Sequence, residues 1–88
     1  MPTVIEILGT KYPIICGAMA RIITHEIAAA VSEAGGLGIL GVGGWSADQL
    51  RDEIRQTKAM THKPFGVNLM LQMDNISELV DVVIEEGV

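Results

Sequence analysis

The feature that most constrains how this chain folds is a short apolar run that begins at a proline and ends in small residues. It occupies residues 12–20, YPIICGAMA, and its length suits a strand that is buried on both faces. The small residues at its end let another group approach the backbone closely. In parallel α/β sheets, ligands bind at that end of the strands. The run therefore indicates either a strand that leads into a binding site or a tight turn between a strand and a helix.

The pattern of a short apolar run followed by an amphipathic stretch occurs three times along the chain. Residues 3–11 predict an N-terminal arm with one helical turn that ends near Gly9. Strands are predicted at residues 13–16, 37–40 and 65–71. The order is therefore β-α-β-α-β-α with short connections, and parallel strands require such crossovers.

Capping signals place the start of each helix. Thr24, Ser46 and Asn75 are predicted N-caps, and Gln49 and Glu78 would complete capping boxes for the last two. Helical spacing predicts inward-facing residues, namely Ile27, Ala30, Val31, Ala34, Leu50, Ile54, Ile76, Leu79, Val80, Val83 and Ile84. The polar residues of the second helix are predicted to face solvent: Asp48, Arg51, Asp52, Glu53 and Arg55.

The predicted fold class is α/β, and two architectures can complete three parallel strands whose edges are unpaired. One is a doubly wound open sheet, and the other is a barrel closed by further strands. Glycine-rich strands favour the barrel, because its interior is filled by fitted side chains. An 88-residue chain is too short for a whole barrel of about 250 residues. We expect residues 1–88 to form one partial domain, the first three βα units of a (β/α)8 TIM barrel, incomplete on its own.

Composition excludes several classes of protein. The chain is 49% hydrophobic and 19% charged, which argues against disorder. Its formal net charge of −5 disfavours a nucleic-acid partner, because no basic stripe is available to neutralise phosphates. No apolar run approaches the roughly 20 residues of a membrane span. The single cysteine cannot form an internal disulfide, so a reducing cytoplasm is the expected location.

Asn68 is the strongest candidate for a binding residue. Alternation along the third strand predicts two faces. One face, under the helices, carries Phe65, Val67, Leu69 and Leu71, and the opposite face carries Gly66, Asn68 and Met70. A buried amide needs partners, since an unsatisfied one costs about 1–3 kcal/mol. Its donor and acceptor match the edge of a heteroaromatic ligand, but a neighbouring backbone or a water would also satisfy it.

Other candidates carry a weaker signal. The glycines of residues 36–44 do not begin a helix directly after the first strand, so a dinucleotide fingerprint is disfavoured. His25 and His62 are interpreted as surface imidazoles, and no metal site is predicted around them. Cys16 is interpreted as a small buried apolar residue.

Three segments together resemble one family closely. They are YPIICGAMA (12–20), AAAVSEAGGLGILG (28–41) and KPFGVNLML (63–71). In sequence and spacing they are similar to the flavin-dependent family of nitronate monooxygenases (2-nitropropane dioxygenases) and type II enoyl-acyl-carrier-protein reductases. The KPFGVN run and the VIEEGV ending (83–88) look closer to the reductase branch.

The resemblance implies an FMN-containing (β/α)8 barrel in which Gly17, Ala18, Met19 and Asn68 border the FMN. It implies that the catalytic histidine lies beyond residue 88, so that this chain carries no catalytic residue. Reductases of this family use NADH or NADPH to reduce a 2-enoyl thioester on acyl carrier protein, whereas the monooxygenases oxidise alkyl nitronates with oxygen. Four departures from the usual family pattern concern branch and substrate: Cys16, Ala18, Arg21 and residues 72–74.

Three hypotheses about function follow. The first is the N-terminal part of an FMN-dependent enoyl-acyl-carrier-protein reductase, an oxidoreductase that is active only with the remaining barrel. The second is the same part of a nitronate monooxygenase. The third is a non-catalytic βα fragment that self-associates through its sheet edges. The expected partners are accordingly the rest of the barrel or another copy of the chain, in a homo-oligomer, together with a small-molecule or acyl-thioester substrate.

Overall fold

The computed structural model describes residues 2–88, in which four helices and three strands alternate, and the first of the helices lies in the N-terminal arm. The helices are α1 (Val4–Leu8), α2 (His25–Glu33), α3 (Ala47–Met60) and α4 (Ile76–Glu86). The strands are β1 (Ile15–Cys16), β2 (Leu37–Gly41) and β3 (Phe65–Asn68). The predicted order of elements is confirmed, and the helical turn of the arm ends at Gly9, whose φ of 72° is left-handed.

The two outer strands are shorter than predicted. β1 pairs only at Ile15 and Cys16, and β3 ends at Asn68 rather than at residue 71. After Asn68 the backbone turns, and the Met73 N–H donates to the Met70 carbonyl. Apolar residues therefore continue beyond the point at which the strand stops hydrogen bonding.

The three strands form a parallel sheet in the order β1-β2-β3. Neighbours in the sheet thus follow chain order, as they do in successive units of a barrel. A doubly wound sheet instead reverses its order at a switch point and carries helices on both faces. Here α2, α3 and α4 share a single buried cluster against one face of the sheet.

The centre of that cluster is the set of residues at which β2, α3 and α4 meet. Leu40, Leu50, Ile54 and Leu79 are all fully buried, which confirms the predicted inward orientation of the last three. Phe65 and Val67 of β3 pack against the same cluster, as does Leu69, which directly follows the strand.

The face predicted for α2 is wrong for three of its four residues, and only the fourth, Val31, is half-buried. Its buried residues are Ala28, Ala29 and Ser32, whereas Ile27, Ala30 and Ala34 are exposed. The reason is the close approach of α2 to β2: a Cβ added to Gly38 would lie 2.7 Å from the carbonyl carbon of Ala28. Only small side chains fit in such a contact, so the larger Ile27 is turned to the flank of the helix.

The face predicted for α4 is also partly wrong. Leu79 and Val82 are buried and Val83 packs against the core, but Val80 is 38% exposed and Ile84 is 71% exposed. Val80 and Ile84 lie four residues apart and therefore share one side of the helix.

Polar contacts fasten the helices to one another. The capping box of Ser46 and Gln49 is confirmed. The prediction of a fully solvated face on α3 is wrong for Arg51 and Glu53, because Arg51 pairs with Glu85 and Glu86 of α4 and Glu53 pairs with His25 of α2.

None of the helices in the described part of the chain combines the length and the apolar character of a membrane span.

Candidate functional site

The carboxyl ends of the three strands meet at one edge of the sheet. Gly41, the last residue of β2, is the parallel partner of Asn68 in β3. From the other side, the main chain of Met19 lies against Gly41, since a Cβ added to Gly41 would be 2.6 Å from the Met19 carbonyl oxygen. The fold therefore places two of the predicted site residues, Met19 and Asn68, on either side of one glycine.

The connection that follows β1 is held in place by its own backbone. The Met19 carbonyl accepts hydrogen bonds from the N–H groups of Ile22 (3.1 Å) and Ile23 (2.9 Å). The Ile23 carbonyl accepts from the Gly41 N–H at 3.1 Å, and the Ile23 side chain is only 2% exposed. The β1–α2 connection is thus anchored directly to the end of β2.

Gly43, two residues after Gly41, is also packed closely by the segments that follow β1 and β3. A Cβ added there would lie 2.8 Å from the Cβ of Ala20 and 3.6 Å from the sulfur of Met70. The exit of β2 is therefore enclosed by the exits of β1 and β3. Sequence reasoning missed this role, although the spacing of Gly41 and Gly43 on one face of an extended segment is the signal that reveals it.

Asn68 lies on the face of β3 that is turned away from the helices. Its neighbours Val67 and Leu69 pack against the core, and successive side chains of a strand alternate between faces. Asn68 is exposed, and within residues 2–88 its amide makes no hydrogen bond to another protein group. The predicted face of Asn68 is confirmed, but the predicted burial is not, because β3 is an outer strand of this sheet. Leu71, predicted to lie under the helices, is 84% exposed.

The remaining predicted site residues lie at the start of the β1–α2 connection. Gly17 is exposed, and a Cβ added to it would meet no atom within 4 Å. Ala18 is half-buried. Arg21, further along, is exposed and has a left-handed φ of 67°, unusual for a residue other than glycine. Packing within the chain therefore leaves open space around Gly17.

A shallow groove of about 500 Å³ lies between the β2–α3 and β3–α4 connections. Trp45 and Gln72 are among its lining residues. The predicted cap at Asn75 is correct in position, but its side chain makes no capping bond to α4. Instead, the Asn75 amide donates to the Trp45 carbonyl at 3.1 Å, which ties the two connections together.

The two histidines differ from each other. His62 is exposed, as predicted. The prediction of a surface imidazole is wrong for His25, whose side chain is only 18% exposed and whose Nδ1 lies 2.7 Å from Glu53 Oε2.

Cys16 is half-buried and packs against the core, in agreement with its predicted apolar role. In the part of the chain that the structure describes, no three His, Cys, Asp or Glu side chains are grouped as metal ligands.

A second cavity, of about 300 Å³, lies at the opposite end of the sheet. The N-terminal arm, the end of α2 and the start of β3 enclose it, and Lys11, Glu33 and Lys63 are its charged lining residues. Residues 17–19 and Asn68 are absent from its lining. The carboxyl edge of the strands therefore remains the candidate site.

Comparison with solved structures shows where this fold occurs. FabK from Thermotoga maritima is 48% identical, with a TM-score of 0.95 over 97% of this chain and 27% of its own. The enoyl reductase domain of MlnA from the macrolactin biosynthesis cluster of Bacillus amyloliquefaciens is 27% identical, with a TM-score of 0.82 over 94% of this chain and 20% of its own. The α/β arrangement with three parallel strands is thus shared with these proteins.

Curated proteins and a family model show which family has a similar sequence. Nitronate monooxygenase from Paraburkholderia phytofirmans is 51% identical over 65 residues, which are 74% of this chain and 18% of that protein. A carboxyl-CoA dehydrogenase of Mycobacterium tuberculosis is 35% identical over 83 residues, 94% of this chain and 23% of that protein. The chain thus spans less than a quarter of the length of these relatives. The family model of nitronate monooxygenase matches residues 1–86, and the chain belongs to this family.

Proposed function

We propose that residues 1–88 supply the first three βα units of a (β/α)8 barrel in an FMN-dependent oxidoreductase. The strand order, with all three large helices on one face, supports this arrangement. So do exposed large apolar residues in the first and last units: Ile15 on β1 and Ile27 on α2, and Leu71 after β3 and Ile84 on α4. Further βα units would cover them.

In this proposal, the carboxyl edge of the strands holds the flat ring system of FMN. The Asn68 amide offers a donor and an acceptor to a heteroatom edge, and it has no protein partner among the described residues. Residues 17–19 would bring their main chain against the same ring, where the open space at Gly17 allows close approach. FMN, when bound, would supply the redox chemistry. In this proposal Gly17, Ala18, Met19 and Asn68 bind and orient it.

Within the family, we favour an enoyl-acyl-carrier-protein reductase that uses NADH or NADPH. The observation that carries this choice is the match to FabK, which covers nearly the whole chain at 48% identity. The MlnA enoyl reductase domain, less similar at 27% identity, supports the same chemistry. In this proposal, the residues that act on the thioester lie outside residues 1–88, and neither histidine of the chain takes part.

Nitronate oxidation is the second candidate. It is favoured by the 51% identity to the Paraburkholderia nitronate monooxygenase and by the 44% identity to a probable nitronate monooxygenase of Staphylococcus saprophyticus. A flavin would serve both reactions.

The test compares two assays on the protein as its gene encodes it, purified with its flavin absorbance recorded. The reductase proposal expects oxidation of NADH or NADPH that depends on crotonyl thioester. Nitronate oxidation would appear instead as oxygen uptake with propyl nitronate. A flavin-free protein that catalyses neither reaction would contradict both proposals and favour a non-catalytic, self-associating chain.

A further inference from the structure

The side chain of Glu53, which was predicted to face solvent, binds the backbone at the end of the β1–α2 connection. Glu53 Oε2 accepts a hydrogen bond from the backbone N–H of His25 at 2.8 Å and lies 2.7 Å from His25 Nδ1. Both side chains are only 18% exposed. His25 is the first residue of α2, where backbone N–H groups lack partners within the helix.

Glu53 replaces a local cap. Thr24 occupies the N-cap position of α2 with extended backbone angles, but its side chain makes no capping hydrogen bond. A carboxylate from the middle of α3, 28 residues away in sequence, takes over that function. Its negative charge also suits the positive end of the α2 dipole.

Backbone hydrogen bonds connect the segment before His25 to the candidate site. Ile23, two residues before His25, is buried and accepts from the Gly41 N–H. Its own N–H donates to the carbonyl of Met19, and that carbonyl lies against Gly41. The position of Met19 against Gly41 therefore depends on a short segment, which Glu53 holds at one end and β2 holds in the middle.

We propose that Glu53 is a positioning residue, which fixes residues 19–25 so that the β1–α2 connection is presented to the ligand at the carboxyl edge. The ligand part of this inference rests on the proposed FMN function. Glu53 does not touch the ligand itself. It acts through the backbone of His25 and Ile23.

The experiment measures amide hydrogen exchange in the protein as its gene encodes it, without added FMN. Glu53→Ala removes the acceptor, and we expect exchange at the hydrogen-bonded amides of residues 22–25 to rise about fivefold, as for the loss of a helix cap. Glu53→Gln retains an acceptor oxygen for the His25 N–H and is expected to restore most of the protection. Glu26→Ala is the matched control, because Glu26 lies 3.7 Å from His25 Nε2 but does not bond the backbone.

Three results would overturn the proposal. They are unchanged exchange at residues 22–25 in Glu53→Ala, an equal effect in Glu26→Ala, and a rise spread evenly over α2, α3 and α4. A second readout is the visible circular dichroism of bound FMN, which we expect to weaken in Glu53→Ala and recover in Glu53→Gln. Absence of any FMN signal in the unsubstituted protein would contradict the proposed function, while the exchange data would still decide the role of Glu53.

Discussion

Asn68 and Gly41 are neighbours in the sheet, but they contribute to the candidate site in opposite ways. Asn68 presents a polar side chain to open space. Gly41 contributes by having no side chain, because a Cβ at this position would lie only 2.6 Å from the Met19 carbonyl oxygen. One residue thus offers hydrogen-bonding groups, and the other allows the β1–α2 connection to lie close to the end of β2.

At the residue scale we predict that Asn68→Ala weakens FMN binding. Loss of a hydrogen-bonding amide at a ligand edge should raise the Kd for FMN by about tenfold. Fluorescence titration of the protein as its gene encodes it would measure the change. Gln72→Ala is the control, because Gln72 is an exposed amide in the neighbouring groove. Unchanged flavin affinity in Asn68→Ala, or an equal loss in Gln72→Ala, would contradict the assigned role.

At the scale of elements, the close contact of α2 with β2 determines how the first helix packs. Small residues on both sides, Gly38 on the strand and Ala28 on the helix, let the two backbones approach. This contact is the reason that the helix buries alanines while its isoleucine lies outside.

The contact leads to a prediction about stability. Gly38→Ala should lower the free energy of unfolding by about 3 kcal/mol, because the new methyl group overlaps main-chain atoms that cannot move aside. Gly17→Ala is the matched control and should change stability little, since its Cβ would enter open space. Urea unfolding followed by circular dichroism measures both. Equal effects of the two substitutions would mean that α2 can move away from the sheet at little cost.

Ion pairs join α3 to α4 at the end of the latter. Arg55 donates to Glu86 at 2.9 Å, and Arg51 donates to both Glu86 and Glu85. The hydrogen bond from Arg55, assisted by the charge of Arg51, lowers the pKa of Glu86 below its ordinary value of 4.5. The hydrogen bond with Glu85 in turn raises the pKa of Arg51.

The lowered pKa of Glu86 predicts a pH dependence with a definite sign. A carboxyl whose pKa is depressed on folding stabilises the folded state above its ordinary pKa of 4.5 and loses that contribution as the pH falls through its folded value. Glu86→Gln should therefore be less stable than the unsubstituted protein at pH 7, and the two should converge in acid. Thermal unfolding between pH 3 and 7, roughly the range of carboxyl titration, tests this. Asp81→Asn, an exposed change on the same helix, should show no such convergence.

At the scale of the whole molecule, the sheet has two flanks that the chain itself does not cover. Leu71 and Ile84 are 84% and 71% exposed beyond β3, and Ile15 is 50% exposed at β1. Exposed apolar edges of this kind associate with further strands and helices. In our proposal the partner is the rest of the barrel, or another copy of the chain when that is absent.

The uncovered flanks predict the behaviour of residues 1–88 expressed alone. We expect this chain to self-associate, and Leu71→Lys combined with Ile84→Lys to shift it toward smaller species in sedimentation velocity. Ile7→Lys is the control, since Ile7 is 69% exposed on the N-terminal arm rather than at a sheet edge. A monomeric unsubstituted chain, or an equal shift in the control, would argue against association through the β3 flank.

The order of strands and helices, the capping box at Ser46 and the orientation of Asn68 were all predictable from the sequence. These features follow from local periodicity and from hydrogen bonds between residues close in the chain. Three other features depended on tertiary structure: the buried face of α2, the cap that Glu53 gives to His25, and the approach of Met19 to Gly41. Each is set by the distance between backbones far apart in sequence, and hydrophobic spacing within one element carries no information about that distance.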